Sequence, residues 1–351
     1  METQSNGKTA LITGAASGIG QELARLFAKD GYSLVLVDIN TEGMEQLANH
    51  FRNQYGTQLT LITKDLANPQ APEEIYAQTS SQGQTIDVLV NDAGFGTYGM
   101  FATETDLQKE LAIVQVNATA LMHLTKLYVK DMVSRNEGKI LMLGSVASVT
   151  PAPLQAVYGA TKAFIKSFSE AIRNELKDTN ITVTVLMPGA TNTNFFKVAG
   201  AENAKGADPQ KTASPADVAK EGYEAMMAGK DHVVAGWMNK IRIAVAHILP
   251  DPLVAASGRS EMAPKESDEQ QKQKKMFALV IGAAVIGGIW LLTRNKNSDV
   301  TDYAKSLPKR AKYNYKVAKA KHSAEDTLDS VVDSAKGSYK KAKSKVEDVF
   351  A

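Results

Sequence analysis

Cysteine is absent from the 351 residues. That excludes disulfides, thiolate catalysis and cysteine-ligated zinc. Histidine is scarce: His50, His123, His232, His247 and His322 are widely separated and show no metal-ligand spacing, so no metal site is expected. Net charge is also small, with 40 Lys+Arg against 38 Asp+Glu and a formal value of +2, which offers no whole-chain case for nucleic acid as a partner. The opening METQSNGKTALITG lacks a basic patch followed by an apolar core, and no secretory signal is expected there. Long uncharged runs are almost missing too, the exception being Met276–Leu292 near the other end.

Apolar residues make up 44% and charged residues 22%, enough for a soluble core. The length suits one large domain plus an appendage. Across residues 1–258, KTALIT, SLVLVD, LTLITKD, IDVLVND, GKILMLGS and ITVTVLMPG read as buried strands bounded by Gly, Asn or Asp. Amphipathic stretches at Ile19–Lys29, Thr41–Gln54, Leu107–Ser134 and Ala156–Lys177 lie between them. Strands alternating with helices predict an α/β fold, a doubly wound parallel sheet of Rossmann type. Residues 259–275 turn polar and mixed in charge, which reads as a linker. Residues 294–351 form a Lys/Asp/Ala-rich tail. Within it Leu328, Val332, Ala335, Tyr339, Ala342, Val346 and Val349 make one apolar stripe at helical spacing.

Thr13-Gly14-Ala15-Ala16-Ser17-Gly18-Ile19-Gly20 follows the first strand and opens a helix. Glycines there permit a sharp turn and let a pyrophosphate approach the helix N-terminus, where free N–H groups and the dipole favour anions. Asp38 ends the second strand, 18 residues beyond Gly20, where a carboxylate accepts both ribose hydroxyls of NAD and repels a 2′-phosphate. Ser17 and Ile39 supply no cation for such a phosphate, so NAD is favoured over NADP. Asp65 and Leu66, at the third strand end, are placed beside the adenine. Asn91, Ala93 and Gly94, at the fourth, leave room for the cofactor ribose.

With TGAASGIG, NDAG, VNAT around Asn117, GS at Ser145, YGATK and PGATNT in order, the chain resembles the short-chain dehydrogenase/reductase superfamily over roughly residues 7–250. The resemblance implies a single-domain sheet of about seven strands and hydride transfer at a carbonyl or alcohol. Tyrosine is a poor base near its reference pKa of about 10 and needs a nearby cation to stabilise phenolate. Lys162, four residues after Tyr158 on one helix face, supplies that charge and also reaches the nicotinamide ribose. Ser145 polarises the substrate oxygen. The resemblance further assigns Asn117 to a helix kink and a water linking Lys162 to solvent, and Pro188, Gly189 and either Thr191 or Thr193 to the nicotinamide carboxamide. It makes Asn194–Asp208 a substrate lid, whose Phe195 and Phe196 suit a partly apolar substrate. The chain departs from the usual Asn-Asn-Ala-Gly at Asp92, which adds a charge near the cofactor without removing a catalytic group.

Met276–Leu292 holds 17 uncharged residues, at the lower edge of what spans about 30 Å of hydrocarbon. Lysines or arginines flank both ends, and Trp290 sits where an interfacial aromatic would. A single-pass transmembrane helix over 276–293 is therefore expected, with a lipid bilayer as partner, the catalytic domain cytoplasmic and the tail helical. Pairing of the long helices, which the resemblance implies, predicts a homodimer or homotetramer. The rival reading is a membrane-anchored nucleotide-binding scaffold or redox sensor. It is disfavoured because Asn117, Ser145, Tyr158 and Lys162 are all present.

Overall fold

The computed structural model describes residues 5–246 and 248–265. Seven strands form one sheet: β1 (Thr9–Thr13), β2 (Ser33–Asp38), β3 (Leu59–Thr63), β4 (Val88–Asn91), β5 (Gly138–Leu143), β6 (Ile181–Met187) and β7 (His232–Val234). Their order is β3-β2-β1-β4-β5-β6-β7, and every neighbouring pair is parallel. The order reverses between β1 and β4, and the carboxyl ends of those two strands open the crevice where ligands bind in such sheets.

The strands are buried on both faces, so they read as continuous apolar runs rather than alternating ones. Within β1, Leu11 joins the core on one face while Ala10 and Ile12 join the core on the other. The second face is covered by α1 (Gly18–Lys29), α2 (Thr41–Tyr55) and α8 (Pro215–Met227), whose Phe27, Phe51 and Met226 are fully enclosed. The first face is covered by α3 (Ala71–Ser81), α4 (Leu107–Val114), α5 (Leu121–Arg135) and α6 (Ala156–Glu175), which contribute Ile75, Leu124 and Ile165. Local chemistry sets the ends. Asn40 caps α2 through Gly43 N–H at 3.0 Å, and Asp106 caps α4 through Lys109 N–H at 2.9 Å.

The long stretch expected over Leu107–Ser134 is interrupted at Asn117, where the resemblance implied a kink: α4 and α5 are joined by a π-helical turn, Gln115–Ala120. The polar stretch expected to start a linker at Arg259 is corrected as well. Its first four residues complete α10 (Asp251–Met262), which follows α9 (Trp237–Ala246). Beyond α10, Pro264 bridges Ala204 and Lys265 N–H donates to the Asn203 carbonyl at 2.6 Å. The expected membrane helix and helical tail lie outside the described residues. Among the described residues, no helix is long and apolar enough to cross a membrane.

Candidate active site

A cleft of about 450 Å³ opens over the carboxyl ends of β1, β2, β4, β5 and β6. On one side its wall is the turn between β1 and α1. Gly14 has φ +71°, and a Cβ there would lie 2.9 Å from the Ala93 backbone. One at Gly20 would lie 2.4 Å from the Gly14 carbonyl oxygen. The turn is therefore closed tightly onto the Asn91–Gly94 segment, and only glycine fits at these two positions. Ser17 makes no side-chain cap, and the first turn of α1 carries no acidic residue of its own, so the positive end of the helix faces the cleft, with only the Asp92 carboxyl group behind it.

Asp38 is held rigidly: Oδ2 accepts Ala16 N–H at 3.0 Å and Oδ1 accepts Asn40 N–H at 2.9 Å. Asp65 and Leu66 follow β3 and line the same cleft, as do Ser17, Gly18, Ile19, Ala93 and Gly94. Asn91 does not line it. Its side chain is buried and donates to Thr125 Oγ1 at 3.0 Å, tying the sheet to α5. Lys64 also lines the cleft close to Asp38, with Nζ 2.5 Å from Glu74. The sequence reading passed over this cation, although its place one residue past β3 was the available signal.

Tyr158 projects from the first turns of α6 into the cleft. Burial pushes its hydroxyl up to about 12, against a hydrogen bond with Ser145 that pulls the other way. Ser145 sits just past β5, where its Oγ also accepts Ala147 N–H at 3.1 Å. Lys162 is 2% exposed and lies beneath the cleft rather than on its wall. Burial lowers its ammonium to about 8, while Asp92 raises it. The expected Lys162–Tyr158 partnership is looser than the i, i+4 spacing suggested. Nζ donates to the Leu143 carbonyl at 2.6 Å and stands 5.6 Å from the Tyr158 ring centre. Asn117 is fully buried; Oδ1 accepts Phe95 N–H at 3.1 Å, and Nδ2 donates to the Phe95 carbonyl at 2.9 Å. That two-way grip on a neighbouring peptide accounts for the π turn: the helix widens where its side chain is claimed from outside.

The opposite side of the cleft is made of side chains. Pro188, Gly189, Thr191 and Thr193 follow β6 and line it. Thr191 is buried with its hydroxyl on the Gly189 carbonyl at 3.0 Å, whereas Thr193 lies against Gly18 across the cleft. The lid segment folds as the short α7 (Phe195–Ala199), and Phe195 packs 5.0 Å from Tyr158, ring centre to ring centre. Three further lining residues were not legible in sequence. Gln155 Nε2 is a buried donor with no partner, and Arg242 and Glu261 form an ion pair between α9 and α10. None of the three carries a motif.

The short chain dehydrogenase family model matches residues 8–204. The oxidoreductase UcpA of Escherichia coli K12 is 34% identical over 188 residues, which is 53% of this chain and 70% of UcpA. Among solved structures, a short-chain dehydrogenase from Sphingobium yanoikuyae in complex with NADPH superposes with a TM-score of 0.61 at 25% identity, over 69% of this chain and 96% of that one. A short-chain dehydrogenase/reductase from Burkholderia phymatum in complex with NAD gives 0.62 at 22%, over 71% and 95%, a likeness of fold.

Proposed function

The chain belongs to the short chain dehydrogenase family, and we propose that it moves hydride between NAD(H) and a partly apolar carbonyl or alcohol. The observation that carries this reading is the half-buried Tyr158, paired with Ser145 and packed against Phe195 in the cleft. The residues present fit a dinucleotide. The uncapped N-terminus of α1 and the turn from Gly14 to Gly20 would hold the pyrophosphate, Asp38 the ribose hydroxyls, and Asp65 and Leu66 the adenine. Ala93 and Gly94 leave room for the second ribose. Pro188, Gly189 and Thr193 flank the nicotinamide, with Thr191 buttressing that loop.

When bound, the nicotinamide ring supplies or accepts the hydride. The protein handles the proton. A phenol held near 12 keeps its proton at neutral pH and donates it to the oxygen of a carbonyl being reduced. Ser145 orients that oxygen. In the oxidative direction the Lys162 ammonium, 5.6 Å from the Tyr158 ring centre, is the cation that would favour phenolate. Asp38 supports NAD over NADP, and Glu74 compensates the charge of nearby Lys64. Comparing kcat/KM for NADH and NADPH against panels of apolar and polar carbonyls tests the reading. Equal activity with NADPH overturns the cofactor preference, and no turnover with any carbonyl or alcohol overturns the reaction.

The uncharged run Met276–Leu292 supports a single-pass membrane tether, and the need for a dinucleotide favours the cytoplasmic side for this domain. Full-length protein is expected to stay in the membrane fraction through a carbonate wash. A truncation after Lys265, which keeps α10 whole, is expected to be soluble. Recovery of the full chain without detergent overturns the tether. Exposed Leu107, Leu111, Val114, Met122, Val133 and Phe164 on α4 to α6 support a homodimer or homotetramer, which light scattering of the truncated protein decides.

A further inference from the structure

Asp92 stands where an uncharged amide is usual in this family, and its surroundings are unusual for a carboxyl group. It is 8% exposed. Its backbone N–H donates to Thr13 Oγ1 at 3.1 Å, which seats the residue between β1 and β4. The carboxyl group is wedged behind the glycine turn. Oδ2 lies 2.6 Å from the position a Gly20 Cβ would take and 3.2 Å from that of Gly14, which sets the carboxyl group beside the Gly20 N–H, a neighbour that favours its charged form. Oδ1 is buried without a hydrogen-bond partner, and the residue lines the cleft.

We propose that Asp92 couples dinucleotide binding to the uptake of a proton, its carboxyl group being neutral in the complex. The inference rests on the dinucleotide reading of the cleft. Two negative groups compete for one place, because the N-terminal turn of α1 is the anion site and the Asp92 carboxylate already stands beside its Gly20 N–H, behind the turn. A charged carboxylate there repels an incoming pyrophosphate across a low-dielectric wall. Protonation removes the repulsion. It also turns the carboxyl group from acceptor-only into a hydroxyl donor that retains an acceptor oxygen.

The groups that face Asp92 set the window. Burial pushes the carboxyl up to about 7; the Lys162 ammonium from α6 and the Gly20 N–H from α1 oppose this, and the Asp38 carboxylate at the end of β2 adds to it. The Thr13 hydroxyl of β1 accepts the backbone N–H groups of Asp92 and Ala93. Below about pH 7 the free protein is already protonated, so binding takes up nothing. Above it, binding takes up a proton until the raised value in the complex is passed, and affinity falls by at most tenfold per pH unit.

The probe is ADP-ribose, which carries the pyrophosphate and both riboses without the nicotinamide; any proton change at Lys162, which is placed to reach the second ribose, occurs in Asp92→Asn as well, so the comparison of the two proteins isolates Asp92. Full-length protein is titrated calorimetrically at about pH 8 in buffers of different ionisation heat, and Kd is followed between about pH 6 and about pH 9. The expected result is uptake of a fraction of a proton, with a weakening of up to about fivefold over the first pH unit above 7. Asp92→Asn, nearly isosteric and uncharged, is expected to remove both effects. If that variant does not fold, the infrared difference spectrum of the wild-type protein decides, since a protonated carboxyl band must grow on binding. Binding without proton uptake, or equal uptake by Asp92→Asn, overturns the inference and leaves the cofactor reading intact. Failure of ADP-ribose and NADH to bind at any pH overturns both.

Discussion

On the β1–β3 side the cleft is walled mainly by backbone. Gly14 and Gly20 close the turn, peptide N–H groups face the opening, and Asp38, the principal side chain, is itself pinned by two peptide N–H groups. On the side formed by β5, β6, α7 and α10 the wall is side chain: Ser145, Tyr158, Gln155, Phe195 and Met262. The difference matters because a backbone surface recognises what every dinucleotide shares, whereas side chains are exchanged without rebuilding the sheet. A fixed cofactor half and an adaptable substrate half follow from the materials alone. Substitutions on the two sides are therefore expected to fail differently.

The largest expected effect belongs to the substrate half. Tyr158→Phe removes the hydroxyl proposed to give its proton to the substrate oxygen. Turnover should fall by about 10²–10⁴-fold, while NADH affinity, read by fluorescence titration, stays within about twofold of wild type. Loss of cofactor binding in this variant breaks the comparison.

Next comes a change in the cofactor half. Gly20→Ala places a methyl group 2.4 Å from the Gly14 carbonyl oxygen and 2.6 Å from Asp92 Oδ2, so the turn must shift. NADH affinity should weaken by about 10–100-fold, equivalent to roughly 1.4–2.8 kcal/mol, and melting should occur at a lower temperature. Normal affinity would show that the turn is not the anion site. A smaller effect is expected at Asp38. Asp38→Ala removes a charge that disfavours a 2′-phosphate, so the ratio of kcat/KM for NAD over NADP should fall by about tenfold. An unchanged ratio transfers the discrimination to Lys64 or to no single residue.

The backbone half was legible from its chemistry alone, whereas Ser145, Tyr158 and Phe195 on the other side stood out through the family resemblance. Close approach demands glycine and ribose recognition demands an acid at a strand end, so Gly14, Gly18, Gly20 and Asp38 stand out in the sequence. Six of seven strands were legible as apolar runs. β7 was not, because three residues, His232–Val234, are too few to set a pattern. The π turn left no trace in composition either. Val116, Ala118 and Ala120 continue an apolar helix pattern, and the cause lies in a tertiary bond from Asn117 to Phe95. α10 was hidden by its own polar residues: Arg259, Ser260 and Glu261 look like linker, yet Tyr98 fixes the helix end by donating to the Met262 carbonyl at 2.7 Å. Roles that depend on who packs against whom, such as Gln155 or Arg242 at the cleft, have no sequence signature.

The smallest expected effect gives the sharpest test of separability. Phe195 packs on Tyr158 at 5.0 Å and edge-on to Phe196 at 5.6 Å, and its ring tip occupies the space a side chain at Gly96 would need. It touches substrate space and the catalytic ring, and α7, which carries it, has only five residues. Phe195→Ala should therefore weaken binding of an apolar carbonyl by about 1 kcal/mol, roughly a fivefold rise in KM. The same change lets water reach Tyr158. Since burial holds that hydroxyl up at about 12, its value should move back toward 10, and the basic limb of the rate profile for reduction should shift to lower pH. The sign follows from the role: reduction needs the phenol protonated, so a lower pKa loses activity earlier as pH rises. NADH affinity should not change, because Phe195 faces no part of the β1–β3 wall. A KM rise matched by an equal loss of NADH affinity would show that α7 belongs to both halves, and the division drawn from their materials would not hold.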